Sequence, residues 1–368
     1  MQLREAFVAL FTQAGIDRRA LCARYRISPT TAYKWLARAQ AGEADWATDR
    51  SRRPHTAPGQ TPAELEAVVV AARQAHPSWG GRKLHHLRVQ QGLAPVPAPS
   101  TITAILRRHD LLDAAHSAAH QQPQRFEHPT PNALWQMDFM GHLPMVAGRV
   151  HPLTLLDDHS RFALGLFACG EEKGGLVQAH VTEILRCYGL LAAILTDNGP
   201  PWGTVGQGGI TRVEAWLTQL GIEVWHGRPH HPQTQGKIER LHRTLAIELT
   251  NTRRFADLPT AQAAFDAWRQ TYNLERPHAA LAFAVPASRY QPSAVPFPET
   301  LPPVEYDTGD QVCTVRDQGA ISFQNRSCFI SRGLIGQPVA VRPTTTDGLF
   351  AVFLCHRQVA SIDLRTVS

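Results

Sequence analysis

Three stretches of this chain set an acidic side chain where a phosphate could be handled with a metal. They are Trp135-Gln136-Met137-Asp138, Leu195-Thr196-Asp197-Asn198-Gly199 and Gly236-Lys237-Ile238-Glu239-Arg240. Carboxylate oxygens are hard ligands suited to Mg²⁺. Two such ions about 3.5–4 Å apart can activate the attacking oxygen and stabilise the leaving oxygen of an in-line displacement at phosphorus. Each acid also has a plainer reading. Asp197 before Asn198-Gly199 suits a turn, and Glu239 between Lys237 and Arg240 suits a solvated helix face. Asp138 is harder to set aside, because a carboxylate inside an apolar strand is costly unless paired or liganded. The turn before Arg161 accounts for Asp157 and Asp158, which are left out of the site.

The pattern around these residues gives the elements that position them. Residues 134–140 alternate, with Trp135, Met137 and Phe139 on one face and Gln136 and Asp138 on the other. Apolar strands follow at 152–157 and 161–169, then a helix at 175–188 and a short buried strand at 192–196 that ends at Asp197. A helix at 209–220 and a strand at 222–225 come next. A further helix begins near 233–236, with Ile238, Leu241 and Leu245 inward and Glu239, His242 and Arg243 sharing a face. This order predicts an α/β sheet with covering helices. Asp138 falls within one strand, Asp197 at the end of its neighbour and Glu239 on a helix, placements from which three carboxylates can meet. Lys237 and Arg243 stand where DNA phosphates would lie beside them.

The front of the chain is different. The 368 residues carry a net charge of +6, and the excess is concentrated in residues 1–110, which points to nucleic acid. Asp17 and Ser28 cap successive helices, Ser28 with Pro29 at the first helical position. The pattern is a helix-turn-helix over 1–45 whose last helix offers Thr30, Thr31, Lys34 and Arg38 to a major groove. A basic linker at 46–60 carries Arg50, Arg52 and Arg53. A second helix-turn-helix-like unit spans 61–113, begun by Thr61 and Pro62, with Arg82 and Lys83 opening its middle helix. Ser100 caps its last helix, which bears Arg107 and Arg108. A linker at 114–131 leads to the core at 132–290, whose last stretch, 251–290, reads as helical. Strands at 311–315, 321–323, 328–330, 338–341 and 349–355 predict a small β-barrel within 304–368.

No run of about 18 apolar residues suggests a membrane span. The N-terminus lacks a secretory pattern. The six scattered cysteines contain no Cys-x-x-Cys pair and read as reduced thiols of a cytoplasmic protein.

Five ordered motifs carry a family resemblance. They are Trp135-Gln136-Met137-Asp138-Phe139, Asp157-x-x-Ser160-Arg161, Thr196-Asp197-Asn198-Gly199-x-Pro201-Trp202, His231-Pro232-Gln233-Thr234-Gln235-Gly236-Lys237-Ile238-Glu239-Arg240, and Tyr272-Asn273-x-x-Arg276-Pro277-His278-x-Ala280-Leu281. The last is followed by Pro286 and Arg289-Tyr290. Together they resemble the integrase core of bacterial insertion-sequence transposases, most closely insertion sequence family 481, over nearly the whole chain. The resemblance implies an RNase H-like core and a DDE triad of Asp138, Asp197 and Glu239 holding Mg²⁺, with Mn²⁺ as a substitute. It also implies double-stranded DNA as partner at element ends and target, a homo-oligomer in the DNA complex, and a nucleoid-associated protein of the bacterial cytoplasm. The spacer between Asp197 and Glu239 is longer than usual for that class, with a Gly-rich stretch at 203–209 able to absorb the excess. The alternative is a catalytically silent, transposase-derived DNA-binding regulator.

Overall fold

The computed structural model describes residues 2–42, 45–49, 61–112, 127–203, 209–227 and 236–365. The chain divides into two compact units, residues 1–61 and 62–368.

The first unit is a helical triple: α1 (Gln2–Phe11), α2 (Arg18–Arg24) and α3 (Pro29–Gln40). Asp17 accepts the Arg19 and Ala20 amides to cap α2, and Ser28 accepts the Thr31 amide at 3.2 Å to cap α3. Phe7, Phe11, Leu21, Cys22 and Ala32 form the core, with Phe7 and Phe11 stacked at 5.3 Å. Both expected caps and the short turn between α2 and α3 are present.

The second unit opens with α4 (Ala63–Ala75), α5 (Gly81–Gln90) and α6 (Pro99–Arg108). They pack around Val69, Trp79, Leu84, Ile102, Ile105 and Leu106. Gly81 is required by the crossing of α5 on α6, since a Cβ there would fall 2.4 Å from Thr103 Oγ1 and 2.5 Å from Pro99 O. Ser100 is not the cap of α6. Ala98 takes that place without a side-chain bond, and Pro99 with its preset φ begins the helix instead.

The core sheet contains β1 (Leu134–Phe139), the short β2 (Leu143–Pro144), β3 (Arg149–Asp157), β4 (Ala163–Cys169), β5 (Ala193–Thr196) and β6 (Glu223–His226). β4, β3 and β1 are antiparallel neighbours, and β5 and β6 continue the sheet in parallel beyond β1. This is an RNase H-like arrangement. One face carries Trp135, Met137, Leu153 and Leu155 against α7 (Gly174–Tyr188) and α8 (Arg212–Gln219). The other carries Leu156 and Leu166 against α9 (Gly236–Leu245) and α10 (Leu258–Leu274). A π-helical turn, Ala246–Thr250, continues α9. The expected helical stretch to 290 ends early, because α10 stops before Arg276-Pro277 and only short 3₁₀ turns follow.

The C-terminal region has β7 (Gln311–Thr314), β8 (Ala320–Phe323), β9 (Arg326–Phe329), β10 (Pro338–Pro343), β11 (Leu349–Leu354) and β12 (Arg357–Asp363). It is not a closed barrel among the described residues. A four-stranded antiparallel sheet, β12-β11-β10-β7, and a separate β8-β9 hairpin pack over one apolar core without ladder bonds closing the circle. β12 was not legible in the sequence, because Arg357-Gln358 and Ala360-Ser361 interrupt an alternating pattern.

Candidate active site

Asp138 lies on the α9 side of β1, one pleat from Gln136. Thr154, its cross-strand partner, donates its hydroxyl to the Asp138 carbonyl at 2.9 Å. That commits the only hydroxyl proton, so His242 Nε2, 2.7 Å from Thr154 Oγ1, is the donor of its own contact. Burial lowers the His242 imidazole to about 4, which keeps the ring neutral for that role. The Asp138 carboxyl is pushed up to about 7, first by burial, then by the negative field of Asp197 and smaller fields from Glu172 and Glu239.

Asp197 ends β5 and accepts the Gly199 amide at 3.2 Å, so its turn reading is also correct. Burial raises its carboxyl, while the Gly199 amide and His226 pull it down. The loop after it is tight: a Cβ on Gly203 would fall 2.5 Å from Asn198 O, and Trp202 is buried against Phe139 at 5.6 Å.

Glu239 is exposed on α9, and its helix is tied directly to the strand of Asp138. Gln136 Oε1 accepts the Ile238 amide at 3.1 Å, and Gln136 Nε2 donates to Asp158 Oδ1 at 2.9 Å. The Lys237 ammonium closes the network 2.5 Å from Asp158 Oδ2. Lys237, expected at a DNA phosphate, is therefore spent on a buried carboxylate. Asp158, read as a turn former, is 2% exposed and holds α9 in place. Asp157 does build the turn, accepting the Ser160 amide at 2.7 Å and its hydroxyl at 2.6 Å.

Two further groups escaped the sequence reading. Glu172, held by His151 Nδ1 at 2.8 Å, is a fourth carboxylate whose field raises both Asp138 and Asp197. Only the pair Glu171-Glu172 after a strand hinted at it. His226 places Nδ1 2.9 Å from Asp197 O and Nε2 2.9 Å from Glu214 Oε1. Both partners are acceptors, so the ring that satisfies both is the imidazolium, and the Glu214 bond raises its pKa accordingly.

The expected DNA-facing residues are scattered. Thr30 and Lys34 are exposed on α3 and Arg38 is half-buried, whereas the Thr31 hydroxyl is 2.9 Å from the Ser28 hydroxyl in the helix cap. Arg82, Arg107 and Arg243 are exposed; Arg108 pairs with Glu66. Lys83 is half-buried, and burial with the nearby Arg276 lowers its ammonium to about 8. Arg50, Arg52 and Arg53 lie outside the described residues, as does much of the Gly-rich stretch.

The Tyr272-to-Leu281 motif serves packing. Asn273 exchanges two hydrogen bonds with the Ala163 backbone of β4, at 2.8 and 3.0 Å. Arg276 Nε donates at 3.0 Å to Glu248, which also accepts from Ser78, Trp79 and Trp268.

Asp138, Asp197 and Glu239 offer hard oxygen donors, and the mutual repulsion felt by Asp138 is what a divalent cation relieves. Among the described residues no group of three or more His, Cys, Asp or Glu side chains stands close enough together to hold a metal ion. Mg²⁺ keeps several waters and phosphate oxygens as ligands, so a partial donor set fits it.

Family models match along the chain. Integrase core domain models match residues 128–232 and 220–286, an IS481 family transposase C-terminal domain model matches 310–368, and a homeodomain-like model matches 31–106. An IS476 insertion-element protein of Xanthomonas euvesicatoria is 28% identical over 66% of this chain and 71% of its own length. An IS407 insertion-element protein of Burkholderia multivorans is 28% identical over 43% of this chain and 54% of its own. Among solved structures, the catalytic core domain of BIV integrase is 25% identical, covering 43% of this chain and 92% of that one with a TM-score of 0.33. Residues 128–286 therefore match integrase core domains, residues 310–368 match the C-terminal domain of IS481 family transposases, and the chain is similar to insertion-element proteins.

Proposed function

We propose that this chain is a DDE transposase that binds the terminal inverted repeats of an insertion sequence and cuts and joins DNA strands. The observation that carries this is the Gln136 bridge, which holds the helix of Glu239 against the strand of Asp138 while Asp197 lends its field to Asp138. Asp138, Asp197 and Glu239 would hold Mg²⁺, or Mn²⁺ in its place. When bound, the ions lower the pKa of an attacking hydroxyl and neutralise charge on the leaving oxygen.

The protein's own groups prepare this chemistry. Gln136, Asp158 and Lys237 orient α9, and the His242–Thr154 pair anchors the Asp138 backbone. Arg243, one turn from Glu239 on the same helix, supplies a guanidinium for a phosphate next to the scissile bond. Two in-line displacements follow. Water attacks phosphorus at the element end and frees a 3′-OH; that 3′-OH then attacks a target phosphodiester, and the target's own 3′ oxygen leaves. The helical units α1–α3 and α4–α6 serve as the DNA readers, with residues 1–45 and 61–113 as their extents and 132–290 as the catalytic core. Joining two ends requires at least a dimer in the DNA complex. The setting is the bacterial cytoplasm, at the nucleoid.

The test incubates the purified chain with Mg²⁺, labelled element ends and a plasmid target. Joined products that vanish with Asp197→Asn support the reading. End binding with neither nicking nor joining establishes the silent regulator instead.

A further inference from the structure

The C-terminal sheet reaches the candidate catalytic loop through an unbroken line of polar contacts. Arg357 Nη2, on the first residue of β12, lies 3.2 Å from Glu214 Oε1. The same oxygen is 2.9 Å from His226 Nε2, and His226 Nδ1 is 2.9 Å from the carbonyl of Asp197. Glu214 is 2% exposed, and its other oxygen accepts the Thr211 amide at 2.7 Å in the capping box that starts α8. One carboxylate thus closes a helix cap, a histidine and an arginine at once. Among the described residues Arg357 Nη1 is buried without a hydrogen-bond partner, so within them the guanidinium is placed for Glu214 and not for a full set of its own bonds.

The line runs between surfaces that are packed, not merely near. Ile210 and Ala215 belong to the same apolar core as Val339, Val352 and Ile362 of the C-terminal sheet. Ser331 Oγ donates to Ile210 O at 2.7 Å, and a Cβ on Gly333 would fall 2.1 Å from that oxygen. A separate contact, Gln219 to Gln337 at 2.7 Å, docks the far end of α8. The long spacer after Asp197 delivers Ile210 and Thr211 to this interface.

We propose that the C-terminal sheet is a working part of the catalytic centre of its own chain, with Arg357 and Glu214 as positioning residues that hold the Asp197 backbone through His226. This rests on the reading of Asp197 as a metal ligand. A group that orients a ligand commonly changes activity by about 10–100-fold when removed. A carbonyl that accepts from a part-buried ring nitrogen is restrained more firmly than one facing water.

The experiment uses the full chain and four variants: Arg357→Ala, Arg357→Lys, Glu214→Gln and Gln337→Ala. Amide hydrogen exchange is followed at residues 193–199, and strand-transfer kcat and KM for element ends are measured alongside. Arg357→Ala and Glu214→Gln are expected to speed exchange there and to lower kcat about tenfold or more with KM little changed. Arg357→Lys restores part of both. Gln337→Ala, which removes only a docking contact, moves neither. Wild-type exchange at 193–199 in both Arg357→Ala and Glu214→Gln overturns the proposal, and so does an equal effect from Gln337→Ala. If the wild-type chain joins no DNA, the proposed function fails, while the exchange measurement still decides whether the C-terminal sheet holds Asp197.

Discussion

Gln136 Oε1 accepts the Ile238 amide at 3.1 Å, so the strand that bears Asp138 grips the first turn of the helix that bears Glu239. The amide of the same side chain donates to the buried Asp158, which leaves Gln136 no freedom to flip.

Replacing Gln136 by Leu keeps the volume and deletes both bonds. The buried Asp158 oxygen and the Ile238 amide then lose a partner, at a cost of about 1–3 kcal/mol. Urea denaturation should show this loss. Strand transfer should fall about 10-fold or more, beyond what the lost stability explains. A variant that joins ends at the wild-type rate sinks the positioning role.

The Asp138 carboxyl makes a metal-free stability prediction. Its pKa rises from 3.8 unfolded to about 7 folded, so between those values the folded chain binds more protons. Stability contributed by the neutral carboxyl is complete below about pH 4 and is lost as pH rises through 7. Mg²⁺ opposes that loss, so its stabilising effect should be larger at pH 8 than at pH 5. Thermal melts at both pH values, with and without Mg²⁺, check this. A Mg²⁺ shift of equal size in Asp138→Asn would falsify the assignment of Asp138 as a ligand.

Glu248 ties α4–α6 to the core by accepting from Ser78, Trp79, Trp268 and Arg276. Glu248→Ala leaves Arg276 as an uncompensated, largely buried cation, so a loss of about 3 kcal/mol is expected. Limited proteolysis should also cut the segment joining α6 to the core sooner than in the wild type. Unchanged stability would show that water replaces the carboxylate.

Lys34 and Lys237 should behave oppositely. Lys34→Ala on the exposed face of α3 should weaken DNA binding across sequences and reduce the salt slope by about 1. Lys237→Ala breaks the pair with Asp158 at 2.5 Å, so it should lower stability and leave the salt slope alone. Binding titrations at several salt concentrations, with parallel denaturation curves, separate the two. A reduced slope for Lys237→Ala would return that residue to the DNA.

Much of this molecule is written locally. The caps at Asp17 and Ser28, the alternation that turns Trp135 and Met137 from Gln136 and Asp138, and the inward stripe of Ile238, Leu241 and Leu245 each depend on a few neighbouring residues. Period, capping chemistry and apolar pattern therefore determined most of the helices and the main strands of the core sheet. The chain alone left open which charged groups pair. Lys237 and Asp158 are each ordinary surface residues by type, and only folding brings them into a buried contact. Glu172 reaches the field of Asp138 across strands, and Arg357 reaches Glu214 across domains. Electrostatic partnership depends on distance in space and on burial, neither of which a linear spacing carries. Tertiary structure thus decided that Lys237 pairs with Asp158 under the helix of Glu239, that Asp158 is more than a turn, and that Arg357 of the C-terminal sheet meets Glu214.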